Sequence, residues 1–295
     1  MSLIAFASDL ELADTTMVLA MSGWVDAASV STNAAERIAE GGRQIAAFDP
    51  DALFDYRSSR PVMHFTSGEL TEIAWPRLEV FHRGIDGVDF VIVKGHEPDF
   101  RWKELTTALA EVARKYGVTK LVTLGAVPAQ MPHTRPVRVV CTTSHPELLL
   151  DGDEVLDEDL VVPGAAVSAL RHGMGELGFP AIGYWAQVPF YLPQFVHEPF
   201  HAASLSLLER VEAHTGVHIP VDGLADDAAA QIDRLNTDIA ANDEARRFVS
   251  HLEHLHDNAD DDEESPPVIT FDDMISADEI GEQVERFLRS TSDDD

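Results

Sequence analysis

"VDFVIVKGHEPDFRWKEL", residues 88–105, holds the reading on which the fold turns. Positions 90–93 are apolar without a break, so both faces of an extended segment there must be covered. That pattern marks a strand enclosed between two helix layers rather than one with a wet face. Lys94 and Gly95 then lead out into a polar run, and from about residue 100 the apolar spacing becomes helical. Strand, glycine exit and helix together form the repeating unit of an α/β sandwich. "KLVTLGAV", residues 120–127, has the same two-sided character.

Working outward, strands are expected over residues 16–21, 44–48, 62–65, 89–94, 120–126, 137–142 and 181–188. Helices are expected over 26–40, 100–116, 164–177 and 201–215. Residues 1–220 therefore read as one three-layer α/β/α sandwich. A helical arm, 221–256, follows, with a narrow apolar stripe of Ala228, Ile232, Leu235 and Ile239, then Phe248, Leu252 and Leu255. So narrow a stripe packs on the parent domain or on a neighbouring subunit. Ile232, Leu235, Ile239 and Leu252 are taken as the arm's interface. An acidic linker, 257–270, and a short helix with an acidic tail, 271–295, complete the chain.

The 295 residues carry 52 acids against 21 Lys and Arg, a net charge of −31. A surface of that sign repels nucleic acid and anionic lipid, so both are excluded as partners. No apolar run has the length of a membrane span. The start of the chain lacks the basic n-region and the small-residue cleavage site of a signal peptide, so none is expected. Cys141 is the single cysteine, which leaves no intrachain disulfide and points to the cytoplasm.

Several motifs match only in letters. "HEPFH", residues 197–201, has the spacing of a zinc helix, but Pro199 pushes the residue before it out of helical conformation. "GMGELG", residues 173–178, ends a helical pattern instead of opening one, so Gly178 is read as a helix exit, not a dinucleotide loop. "HLEHLH", residues 251–256, is read as an exposed helical face. "DGDEVLDED", residues 151–159, lacks calcium-loop spacing and is read as a solvated loop. No metal or cofactor is expected, and the nucleophile-elbow and phosphate-loop patterns do not occur.

The candidate site is what lies at the strand exits, where open α/β sheets bind ligands. Lys94, His96, Glu97, His133 and Arg135 have the types needed to hold an anion and move a proton. Gly23, Trp24, Asp26, Gly95, Trp102 and Thr134 are the expected cleft lining. The competing reading gives the same residues structural work: Glu97 and Asp99 complement a helix N-terminus, Arg135 pairs with a carboxylate, and the tryptophans pack.

The segments "GWVDAASVSTNAAERI", "VKGHEPDFRWKEL", "LVTLGAVPAQMPHTRPVRV", "GYWAQVPFYLPQF" and "HEPFHAAS" resemble the PAC2 family, named for proteasome assembly chaperone 2, and its actinobacterial members in particular. The resemblance spans about residues 10–215. It implies a phosphorylase/hydrolase-like α/β domain with no established catalytic chemistry, and chaperones that bind proteasome α-subunits. Some such chaperones dock through a C-terminal hydrophobic-Tyr-any tail, whereas this sequence finishes Asp293-Asp294-Asp295. The expectation is a non-catalytic protein-binding scaffold or assembly chaperone, homo-oligomeric with a trimer as the candidate form, with proteasome subunits as further partners. The alternative is an enzyme or small-molecule binder that takes an anionic substrate in the strand-exit cleft. It requires at least three of its five charged or titratable side chains to converge.

Overall fold

The computed structural model describes residues 3–156 and 159–258. Along the chain, β1 (Ile4–Phe6) and β2 (Thr15–Ser22) precede helix α1 (Val30–Ala39), β3 (Arg43–Phe48) and the short α2 (Pro50–Leu53). A hairpin of β4 (Val62–Thr66) and β5 (Glu69–Ala74) leads to β6 (Leu78–Ile85), β7 (Val88–His96) and α3 (Trp102–Lys115). Then come β8 (Val118–Ala129), β9 (Val139–Thr143), β10 (Glu154–Val155), α4 (Ala166–Glu176) and β11 (Ala181–Pro189). The chain continues through α5 (His201–Thr215), α6 (Leu224–Ala240) and α7 (Asp243–Asn258).

One nine-stranded sheet runs β1-β3-β6-β7-β2-β8-β11-β9-β10. Its middle, β7-β2-β8-β11, is parallel, so four strand exits share one rim. β6 and β9 flank this middle antiparallel. The two-sided burial read from the sequence is literal. Val18, Ala20, Phe90 and Ile92 face one core, while Met17, Leu19, Val91 and Val93 face the other. α1 and α5 cover the first face, and α3 and α4 cover the second. The architecture is the expected α/β/α sandwich with C-terminal helices. Four strands escaped the sequence reading: β1, β5, β6 and β10. β6 carries Glu79, His82 and Arg83 among its apolar residues, which breaks the continuous run that marks its neighbours.

The helical arm is not free. Leu235, Ile239 and Leu252 are buried in the α1/α5 core, and Ile232 packs partly buried against it. Of the two surfaces expected for the stripe, these four take the parent domain and not a neighbour: after α5 the chain folds back, and α6 and α7 close their own domain. Leu255 alone of the stripe faces outward, 47% exposed. Beyond Asn258, the acidic linker and the short helix with its tail lie outside the described residues.

Candidate functional site

At the shared rim, the exits of β2 and β7 enclose a cavity of about 510 Å³ bordered by Gly23, Trp24, His96, Glu97 and Trp102, with Ser59, Arg60 and Asp99 opposite. Glu97 is its organising group. Oε2 accepts from the Trp24 backbone N–H at 3.0 Å, and Oε1 accepts from Ala166 N–H at 2.7 Å, at the first turn of α4. The carboxylate thus complements a helix N-terminus, that of α4 rather than the helix following it in sequence. Gly23 makes this possible, because with φ at +143° a Cβ there would stand 2.9 Å from the Glu97 Cβ. Asp99 accepts from Asp55 N–H and the Ser59 hydroxyl, and the Trp102 indole donates to Pro98 O at 2.6 Å.

Gly95 sits so close to Arg77 that a Cβ would meet its carbonyl oxygen at 2.1 Å. Asp26 does not open onto the cavity either. Its carboxylate accepts from the Ser31 and Thr32 backbone N–H groups at 2.8 and 3.2 Å and from both hydroxyls. It caps α1 across an intervening turn.

The rest of the expected constellation separates. Lys94 lies toward α1, 3.9 Å from Glu36 and over the Phe81 ring. The loop 132–136 leaves the rim on the side of the C-terminal helices. His133, 5% exposed, shares Nδ1 with the Tyr191 hydroxyl at 2.7 Å and Nε2 with Asn236 Oδ1 on α6 at 3.2 Å. Burial lowers its pKa, so it is held neutral. The Thr134 hydroxyl donates to Glu253 on α7. Arg135 grips Asp257 through Nε and Nη2 at 2.7 and 2.6 Å, with Glu253 at 3.4 Å. Of the five charged or titratable candidates, His96 and Glu97 border this cavity while Lys94, His133 and Arg135 are engaged elsewhere, so the acid–base site as expected is not formed. The physical reason is that a strand exit fixes the rim but not the face of the sheet toward which a side chain or loop departs.

Pro199 lies ahead of α5, which begins at His201, so the two histidines of "HEPFH" do not share a helix. Gly178, at φ +87°, follows α4, and Phe179 N–H donates back to Met174 O at 3.0 Å, a helix exit as expected. Among the described residues, no group of three His, Cys, Asp or Glu side chains is placed to hold a metal.

In the segment read as a solvated loop, Asp151, Gly152, Glu154, Val155 and Asp159 are exposed as expected, and Asp153 departs from it. The Asp153 side chain is 2% exposed, not solvated. It accepts from the Tyr184 hydroxyl at 2.8 Å and from Leu150 N–H, and it faces Arg210 at 3.4 Å. His214 Nε2 lies 2.8 Å from the same hydroxyl. Burial, with Lys120 nearby, pulls the His214 pKa down to about 4. Cys141 is buried close by, its thiol pushed up to about 11 mainly by desolvation, and is inert at neutral pH.

The PAC2 family model matches residues 20–237. A PAC2 family protein from Streptomyces avermitilis is 33% identical, covering 80% of this chain and all of its own length, with a TM-score of 0.68. The Mycobacterium tuberculosis proteasome-assembly chaperone homologue is 30% identical over the same shares, with a TM-score of 0.71. A Corynebacterium glutamicum protein of unknown function is 28% identical, covering 88% of this chain and 98% of its own, with a TM-score of 0.81. No curated protein matches the chain. With the matched segment spanning both sheet halves, the rim and most of α6, the chain belongs to the PAC2 family.

Proposed function

We propose that this chain is a non-catalytic assembly factor that binds proteasome subunits and works as a homo-oligomer in the cytoplasm. The observation that carries the reading is its 30% identity, over 80% of the chain, to the Mycobacterium tuberculosis proteasome-assembly chaperone homologue. The fates of Glu97, Asp26, His133 and Arg135 support it, since Asp26 caps α1 and the other three hold one element of the fold to another.

The β4–β5 hairpin supplies a surface for self-association. Val62, Met63, Phe65 and Leu70 on it are 59%, 53%, 63% and 43% exposed. Grouped exposed apolar side chains of this kind are characteristic of interaction sites. The segment 57–77 carries Arg57, Arg60 and Arg77 against Glu69 and Glu72, in a chain whose net charge is −31. It is therefore a place where an acidic surface meets attraction, and a second copy of this chain presents such a surface.

The test is light scattering on the purified chain together with affinity capture from the native host at moderate salt. Wild type should show a multiple of the 32.3 kDa chain mass and retain proteasome subunits, and Phe65→Asp with Met63→Asp should shift it toward monomer. A monomeric wild type would refute the self-association, and capture without proteasome subunits would refute the proteasome role.

A further inference from the structure

A second chamber, of about 460 Å³, lies beside the rim cavity, between the ends of β8, β9 and β11 and the start of α4. Trp24 and Gly164 border both spaces. Its walls are mostly apolar, with Val127, Val140, Leu156, Leu160, Val162 and Trp185 among them. The Trp185 indole is pinned by donation from Nε1 to the Thr142 hydroxyl at 2.9 Å. It lies flat against Gly125, where a Cβ would come within 2.4 Å of the ring.

Two polar side chains interrupt these walls. Gln187 is 3% exposed, and its Nε2 has no hydrogen-bond partner. Arg171 runs across Gly183, where a Cβ would stand 3.1 Å from its Cδ, and its buried Nε also has no partner. Gly183, Trp185 and Gln187 alternate along β11, so all three lie on one strand face, and Trp185 and Gln187 line the chamber. Desolvation lowers the Arg171 pKa, and no carboxylate among the described residues offsets it. Both unmet atoms are N–H donors, and among the described residues the lining includes no Asp or Glu. Buried donors are almost always satisfied in a folded protein, and one that belongs to a cation is more costly to leave unmet. What the chamber lacks is an oxyanion.

We propose that this chamber binds a small hydrophobic carboxylate. Its apolar body lies against Trp185 and the aliphatic walls, and its carboxylate accepts from Arg171 and the Gln187 amide. A guanidinium matches a carboxylate in plane and spacing, which favours that head group over a neutral hydroxyl. The volume falls within the range of small-molecule sites. The residues involved are separate from the hairpin, so the site stands or falls independently of the assembly role.

Octanoate is the probe, titrated calorimetrically into the full chain, with 1-octanol and octylamine as controls of equal length. One octanoate should bind per chain and raise the melting temperature, with both controls weaker by about tenfold or more. Arg171→Met should weaken octanoate by a similar factor while leaving the ligand-free melting temperature unchanged or higher, because a half-buried cation whose Nε has no partner is removed. Gln187→Leu should weaken it severalfold. Should Arg171→Met fail to fold, Gln187→Leu and the octanol comparison still decide. Equal binding of octanoate and octanol, undiminished octanoate binding to either variant, or no binding at millimolar octanoate would overturn the proposal.

Discussion

Glu97 joins two backbone N–H groups, at Trp24 and Ala166, that lie far from it in sequence. Removing the carboxylate strands both donors, one of them partly buried. Glu97→Ala should therefore cost about 1–3 kcal/mol in urea unfolding, and Glu97→Gln, which keeps one acceptor, should cost less. A loss no larger than that of an exposed-residue control would refute the clamp. The residues at this rim were legible because strands 16–21 and 89–94 were recognisable and parallel strands exit together. The destinations of Lys94 and Arg135 were not. Their partners, Glu36 on α1 and Asp257 at the end of α7, depend on which face of the sheet each helix covers. Arg171 and Gln187 belong to no motif. The one available signal was a lone amide inside the apolar run "AIGYWAQV".

At the scale of elements, α6 and α7 behave as part of the sandwich. Their apolar stripe joins the α1/α5 core, and the loop 132–136 binds them through His133, Thr134 and Arg135. Leu235, 1% exposed, reports on this docking, and Leu235→Ala should destabilise the whole domain by about 2–4 kcal/mol. A single cooperative transition at lower denaturant is expected; a separate early transition confined to the C-terminal helices would show that they dock independently. Ending the chain at Pro220 would strip the core of its cover, so it would report on folding before it reported on binding. The stripe's spacing was plain in the sequence, but its destination was not, because an apolar helix face is the same whether it meets its own domain or another chain. The β4–β5 hairpin was half visible for a related reason. Residues 62–65 read as a strand, whereas the alternating "ELTEIA" of β5 lacked a continuous run.

For the whole molecule, charge and burial pull in opposite directions as pH falls. His214 is neutral in the fold, with its pKa held near 4, against about 6.5 when unfolded. Above about pH 6.5 neither state binds its proton. Below that the unfolded chain binds first, so stability is lost between about pH 6.5 and 4, on the order of 2–3 kcal/mol. His133, also lowered by burial, acts in the same direction. Neutralising carboxylates on a chain of −31 relieves self-repulsion and masks the loss. The informative quantity is therefore wild type minus His214→Gln at high salt, which should fall across that window; a flat difference would place the His214 pKa near its unfolded value. The sheet order carries a further consequence, for synthesis. β2, buried from Thr15 to Met21, is completed by β7 and β8, and β8 ends only at Ala129. At ribosomal rates of about 5–20 residues per second, that strand waits roughly 5–20 s before both neighbours exist. Through that interval the nascent chain carries a wholly apolar run without its full cover, and its yield depends on what shields residues 17–21 meanwhile.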